Sequence, residues 1–300
     1  MKIISENVVI YCATGREYFL NETHLSAESI KQIDTDIKVT LFVDNGNIDR
    51  VKKELFDSIH LIKNPEFGYG DKIYAMKNSP YLKTLFLDCD TFITAQFDEI
   101  FSMLNDYDVG VIEIPFKNSY YPEFNSGVIA FKKNEKTKYL LEKWDEKFDR
   151  KVGDQGSLQH LLHLVSYFVL PIEYNFRLPF VSFARDTIKI IHSHELLKLR
   201  VEDRERIIKY INRSKTERIW FPNKGIVVLH SYKNLLTRFL NYIEKFIYRK
   251  MKIDPESLKI LEKIRKKMIR YELKWLLGWT LPYYYREKMR CNSSNINKYL

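Results

Sequence analysis

The chain has 300 residues, 45% of them hydrophobic and 14% aromatic, which is enough for one large α/β domain with an appendage or for two ordinary domains and excludes wholesale disorder. The net charge of +10 excludes less than it suggests, because residues 231–300 alone carry roughly +11, leaving the remainder near neutral, so the excess belongs to a tail and not to the fold. Three cysteines, Cys12, Cys89 and Cys291, show no CxxC or CxH spacing and make a poor disulfide framework, which points to a reducing, cytoplasmic setting.

Glu6 and Asn7 interrupt the order that a signal peptide needs, and no run approaches the ~20 apolar residues of a spanning helix. From there, short β-branched or apolar runs alternate with segments of helical period, the pattern of a mainly parallel sheet covered by helices. NVVIYC predicts a first strand, residues 16–33 a helix with Tyr18, Leu25 and Ile30 among its apolar positions, and KVTLFV and SIHLI two further strands. Residues 72–77 read as a helix stopped near Ser79-Pro80, since proline cannot continue the backbone ladder. TLFL, DVGVIEI and GVIAF follow as strands, then helices over 136–148 and 154–164, the second opened by Asp154, an acidic residue suited to a helix start. SYFVL, TIKIIH and GIVVLH complete the strand-like runs.

From about Tyr232 the composition shifts to helix formers rich in Lys, Arg and aromatics, with a break and restart at Asp254-Pro255-Glu256-Ser257. The expected organisation is an α/β domain over 1–231 and a basic, aromatic-rich helical extension over 232–300. KFIYRKMKI and WLLGWTLPYYY in the extension suit helices lying on an anionic membrane surface, and equally helices packed on the domain with their charges in water; the second run is too short to span.

The segment LFLDCDTFI carries the most chemistry. An apolar strand ending in Asp-x-Asp turns both carboxylates to one face, with Cα atoms roughly 6 to 7 Å apart, so Asp88 and Asp90 can serve one divalent ion. Hard cations such as Mn²⁺ or Mg²⁺ prefer oxygen ligands, and a diphosphate leaving group adds oxygens while its developing charge needs neutralising. Sheets of this class bind ligands at the carboxyl ends of their strands, where the pair sits. Taken alone, the motif is equally explained by a solvated strand end or a helix cap.

Lys72, on the helix leading into that strand, can place a cation near a phosphate or a carboxylate. Asn125-Ser126-Gly127 reads as a turn before a strand, where Asn and Gly relieve backbone strain. His192 closes the run IKII and emerges where a third ligand is needed; His194 shares its face and His230 ends GIVVLH, so both stand as alternatives.

Over roughly its first 200 residues the chain resembles the glycogenin-like glycosyltransferases of family 8 in an ordered series of motifs. YCATGREY resembles the family's first strand and turn, whose Thr and Tyr line the nucleotide pocket, implying Thr14 and Tyr18. DKIYAMKNSPYLKTLFLDCDTFI is similar to the stretch in which a lysine near the donor precedes the metal-binding Asp-x-Asp, implying Lys72, Asp88 and Asp90. FNSGVIAF resembles the segment beside the donor sugar, implying Asn125, Ser126 and Gly127, and GDQGSLQHLL resembles the helix start at the reaction centre, implying Asp154 and Gln155. LPIEYN followed by IKIIHSH resembles the approach to the third metal ligand, which falls on His192.

The resemblance implies a GT-A nucleotide-diphospho-sugar transferase fold and a Mn²⁺ or Mg²⁺ ion on Asp88, Asp90 and His192. It also implies a nucleotide-sugar donor with a leaning to UDP, retention of configuration, and a glycan, lipid-linked or protein acceptor. The chain departs from the pattern after the histidine. Family members follow the histidine with a glycine-containing loop ending in Lys-Pro-Trp that closes on the diphosphate, whereas HSHELLKLR keeps only the lysine, so the resemblance implies Lys198 as the donor-binding, phosphate-directed charge.

Two other classes fit less of the sequence. A metal-dependent nucleic-acid enzyme would spread positive charge over its active face rather than confine it to one end, so no nucleic-acid partner is expected. A catalytically inactive membrane or partner adaptor would fit the extension but has no need of Asp88, Asp90, Asn125, Asp154, Gln155 and His192 together. The expected setting is cytoplasmic, with peripheral contact at the membrane face through the extension.

Overall fold

The computed structural model describes residues 4–34, 36–114, 124–148, 153–213, 217–222 and 225–228; the expected extension over 232–300 and His230 lie outside them. In chain order the elements are β1 (Ile4–Ala13), α1 (Glu17–Ile33), β2 (Lys38–Asp44), β3 (Ser58–Ile62), α2 (Tyr69–Asn78), β4 (Tyr81–Leu87), β5 (Thr91–Ile93) and α3 (Glu99–Met103). There follow β6 (Val109–Glu113), β7 (Phe124–Lys132), α4 (Glu135–Lys147), α5 (Gly153–Gln159), β8 (Tyr167–Leu170), β9 (Phe176–Arg177) and β10 (Ser182–Ala184). The last are β11 (Ile190–His192), α6 (His194–Leu197), α7 (Val201–Ile211), β12 (Arg218–Phe221) and β13 (Gly225–Val228).

Seven strands form the central sheet in the order β3-β2-β1-β4-β7-β6-β8. β7 alone runs against the rest, antiparallel to both β4 and β6, so the α/β class with a mainly parallel sheet is what the chain forms. Both faces of the inner strands are covered, which is why β1, β2, β4 and β7 read as near-continuous apolar runs, whereas the edge strands β3 and β8 are partly exposed. Along β1, Val9, Tyr11 and Ala13 turn to one side and pack with Leu20, Ala27 and Ile30 of α1 and Ile100 and Phe101 of α3. Val8 and Ile10 turn to the other, where Ile73 and Met76 of α2, Leu140 and Trp144 of α4 and Leu158 of α5 cover them. Each fully buried large side chain in these layers contributes about 1.5–3 kcal/mol. A smaller core of Phe176, Leu178, Ile191, Leu196, Ile207 and Trp220 holds the C-terminal elements together.

Four expectations need correction. β4 ends at Leu87, so Asp88-Cys89-Asp90 forms a turn and not a strand end; the Thr91 amide and hydroxyl both donate to the Asp88 carbonyl, at 3.3 and 2.9 Å. Asn125, Ser126 and Gly127 lie inside β7 rather than in a turn before it, and the ladder to β6 shifts register between Gly110 and Ile112 as it takes them in. The helix expected over 154–164 stops at Gln159 and a separate 3₁₀ turn follows at Leu162–Leu164. TIKIIH yields only Ile190–His192, which joins β5 and β9 in a small separate sheet. Just before it, the Ile188 amide donates to the Asn212 side chain and the Lys189 amide to the Glu173 carbonyl, so that backbone is committed elsewhere. Among the described residues no helix is long and apolar enough to cross a membrane.

Candidate functional site

The Asp-x-Asp turn is mounted on three pieces of chain. The Asp88 amide donates to the Gly127 carbonyl of β7 at 2.8 Å, and the Ser193 amide, just past β11, donates to the Asp90 carbonyl at 2.8 Å. Below it runs a buried hydroxyl relay from Tyr11 to Ser26 (2.7 Å), to Thr91 (2.9 Å) and on to the Asp88 carbonyl. Buried hydroxyls must find partners, so this chain of donors fixes the turn as well as satisfying itself.

Asp88, Asp90 and His192 each present one donor atom, and these atoms lie within 4.8 Å of one another. The His192 ring is oriented by Asn175, whose side-chain NH₂ donates to the Asn125 oxygen at 2.6 Å. The Asn175 oxygen is thereby the acceptor facing His192 Nδ1 at 2.8 Å, which assigns the proton to Nδ1. Nε2 then points a lone pair at Asp90 Oδ1, 3.0 Å away, with Asp88 Oδ2 at 3.9 Å. A lone pair opposed to carboxylate oxygens is unfavourable until a proton or a cation stands between them, and two oxygens with one imidazole nitrogen suit Mn²⁺ or Mg²⁺.

Gly127 makes this approach possible: a Cβ there would stand 2.4 Å from His192 Cε1 and 2.7 Å from Asp88 Oδ2. His194 stands on the far side of Asp90, its Nε2 3.4 Å from Oδ2 and its Nδ1 2.8 Å from the buried Glu22. The pair of aspartates is electrostatically split. Burial raises the pKa of Asp88; burial also opposes the charge of Asp90, but when the His192 and His194 imidazoles carry a proton toward it they outweigh burial and hold that carboxyl down to about 2.

A second cluster adjoins the first. Lys72, buried on α2, is ion-paired with Asp154 of α5, reaches Asp88 at 3.5 Å and donates to the Ser126 hydroxyl and carbonyl at 3.0 and 3.3 Å. Burial disfavours its charge, yet Asp88 and Asp154 raise its pKa. Asp154 also accepts from the Ser126 hydroxyl, so its side chain is directed into the site and not spent on capping α5. Its carbonyl accepts from the indole of the buried Trp144, 3.0 Å away, which pins the start of α5. Gln155 receives the Asn125 amide at 3.4 Å.

One cavity of about 640 Å³ gathers Thr14, Tyr18, Lys72, Asp88, Asp90, Asn125, Ser126, Asp154, Gln155 and His192 on its lining, with His194 beside them. Gly127 lies under this lining, and Lys198, which follows α6, is not part of it. Thr14 is tied by its hydroxyl to Asp71, 2.6 Å away. Asp71 also accepts from the Glu66 and Phe67 amides and so holds the rim loop in which Phe67 takes a φ of 56°. Phe67 and Tyr69 on that rim are 64% and 60% exposed, flat apolar surface suited to a planar ring.

The sequence reading missed Asn175, Glu22 and Arg177. Asn175 stood in the quoted run LPIEYN, and Arg177 two residues beyond it; nothing in the spacing marked Glu22, which faces His194 from 172 residues away.

No family model matches the chain, and no curated protein does. The solved structures that it is similar to are glycosyltransferases. They include GlyE of Streptococcus pneumoniae TIGR4, at 19% identity with 58% of this chain and 48% of that one covered and a TM-score of 0.45. The galactosyltransferase LgtC in complex with donor and acceptor sugar analogues is 14% identical, with 57% and 75% covered and a TM-score of 0.39. Mouse xyloside xylosyltransferase 1 is 13% identical, with 65% and 100% covered and a TM-score of 0.43. The chain thus spans about half of the length of GlyE.

Proposed function

We propose that this chain is a metal-dependent glycosyltransferase of GT-A type that moves a sugar from a nucleoside-diphosphate donor, UDP-linked by the motif resemblance, to a glycan, lipid-linked or protein acceptor. The observation that carries the reading is the convergence of Asp88, Asp90 and the His192 Nε2 lone pair on one point, at the edge of a cavity large enough for a nucleotide sugar.

Mn²⁺ or Mg²⁺ bound there would neutralise charge developing on the diphosphate as the glycosidic bond breaks. The chain's own groups do the rest. Thr14 and Tyr18 line the nucleotide end, with the Phe67 and Tyr69 rings beside them. Lys72 keeps Asp154 charged and aimed, so that Asp154, Gln155 and Asn125 hydrogen-bond sugar hydroxyls and fix the ring for attack. The dense network Lys72–Asp154–Ser126 holds these groups before substrate arrives, which favours the transition state rather than the ground state. Retention is carried over from the resemblance.

The test is a thermal-shift screen of the purified chain against UDP, GDP, ADP and CMP with and without Mn²⁺, followed by donor hydrolysis with the stabilising nucleotide. The expected result is stabilisation by UDP that requires Mn²⁺, and hydrolysis of a UDP-sugar that EDTA stops. Absence of any nucleotide effect with metal present would defeat the reading.

A further inference from the structure

The cavity contains a cation that the motif resemblance does not mention. Apart from the histidines, the positive groups on its lining are Lys72 and Arg177. Lys72 is committed to Asp154, Asp88 and Ser126. Arg177 ends β9 and is the register partner of His192 on the parallel β11, so the two side chains rise from the same side of the small sheet.

The Arg177 guanidinium lies over the Phe180 ring, 4.1 Å from its centroid, and among the described residues it has no hydrogen bond and no ion pair. Asp90 and Asp88 are the charges that act on it, yet neither is within ion-pair reach. The other anions on the lining are engaged: Asp154 by Lys72 and Ser126, Glu195 by the Ser193 hydroxyl at 3.3 Å. Once a divalent ion takes up the charge of Asp88 and Asp90, no free anion is left for Arg177 among the described residues of the lining. A partly buried fork of five N–H donors without an acceptor is costly to maintain unless a ligand completes it. The stack on Phe180 limits its rotamers, so that fork is presented with little further ordering cost.

We infer that Arg177 binds phosphate oxygens of the donor's diphosphate, beside the metal site and from the wall that carries His192. This assigns to Arg177 the charge that the motif resemblance assigns to Lys198, which does not line the cavity. The inference rests on the nucleoside-diphosphate reading. The same fork would also suit a phosphate or carboxylate on an acidic acceptor, and the test separates the two sources.

The full chain with Mn²⁺ is titrated calorimetrically with UDP, UMP and uridine, as wild type, Arg177→Met and Arg177→Lys, with melting curves as a fold control. Arg177→Met keeps an unbranched side chain over Phe180 and is expected to weaken UDP binding roughly 10–100-fold, UMP binding less and uridine binding not at all, with Arg177→Lys recovering part of the loss. Wild-type UDP affinity in Arg177→Met overturns the inference and moves the group to the acceptor. A uniform loss that extends to uridine also overturns it, because the defect would then lie in the pocket's shape. If the wild type itself binds none of the three, the donor reading fails first and takes this inference with it.

Discussion

Asn175 does not line the cavity, yet it decides what His192 offers there. Its oxygen accepts from Nδ1–H and its NH₂ donates to Asn125, so one amide links Asn125 to the candidate metal ligand His192. Asn175→Leu keeps a similar volume but leaves Nδ1 without an acceptor, so the tautomer is no longer fixed. The expected result is a 10–100-fold loss of Mn²⁺ affinity by calorimetry, with a stability loss of about 1–3 kcal/mol from the orphaned groups. Unchanged Mn²⁺ affinity in a folded variant would remove Asn175 from the site. Gly127 acts at the same scale by absence, since its missing side chain is the space in which His192 and Asp88 meet.

Among the elements, β6, β8 and α4 are joined through one carboxylate. Asp108 accepts from the Ser166 amide (3.0 Å) and hydroxyl (2.7 Å) at the start of β8 and from Asn134 (2.7 Å), the residue whose side chain also caps α4. Burial opposes its charge, but the Ser166 and Asn134 hydrogen bonds outweigh it and lower its pKa. Because the folded value lies below the unfolded one, the stabilisation is fully present above the unfolded pKa of about 3.9 and is lost as pH falls through the folded value. Urea melts between pH 3 and pH 6 should therefore show wild-type stability dropping at the acid end, with a shallower slope in Asp108→Asn; identical slopes would contradict the assignment. Asp108→Ala should cost about 1.5–3 kcal/mol at neutral pH.

At this scale the sequence was most legible where one period dominated. The runs NVVIYC, KVTLFV, SIHLI and TLFL all fall within strands of the central sheet; in the inner strands β1, β2 and β4, burial on both faces leaves an apolar run that needs no partner to be recognised, while the edge strand β3 is largely half-exposed. The site was legible only as motif order: Asp88, Asp90, Asn125, Asp154 and His192 were placed by resemblance, while the turn at Asp88 and the in-strand position of Asn125 were not foreseen. Those conformations are set by long-range bonds, such as Asp88 to Gly127 and Ser193 to Asp90, which leave no local period. The two- and three-residue strands β9 and β10 were beyond reach for the same reason, and TIKIIH, read as a strand, proved to be one only over the three residues of β11.

For the whole molecule, charge is divided unevenly, with the positive excess in residues 231–300. If the extension binds anionic membrane, the full chain should pellet with phosphatidylserine vesicles at low salt, be released at high salt and ignore neutral vesicles; recovery in the supernatant throughout would leave the extension as a partner of the domain. Another whole-chain property follows from β11. His192 faces Asp88 and Asp90 from a strand of three residues, across roughly 100 residues of intervening chain, so an ion held by both ends would act as a reversible cross-link closing a long loop. The small sheet that carries His192 and Arg177, already held by the core around Phe176 and Ile191, would be firmer while the cross-link is made. On the proposed reading, loading the ion and firming the wall beside the donor would then be coupled, and a chain stripped of metal would bind nucleotide more weakly before it lost its fold.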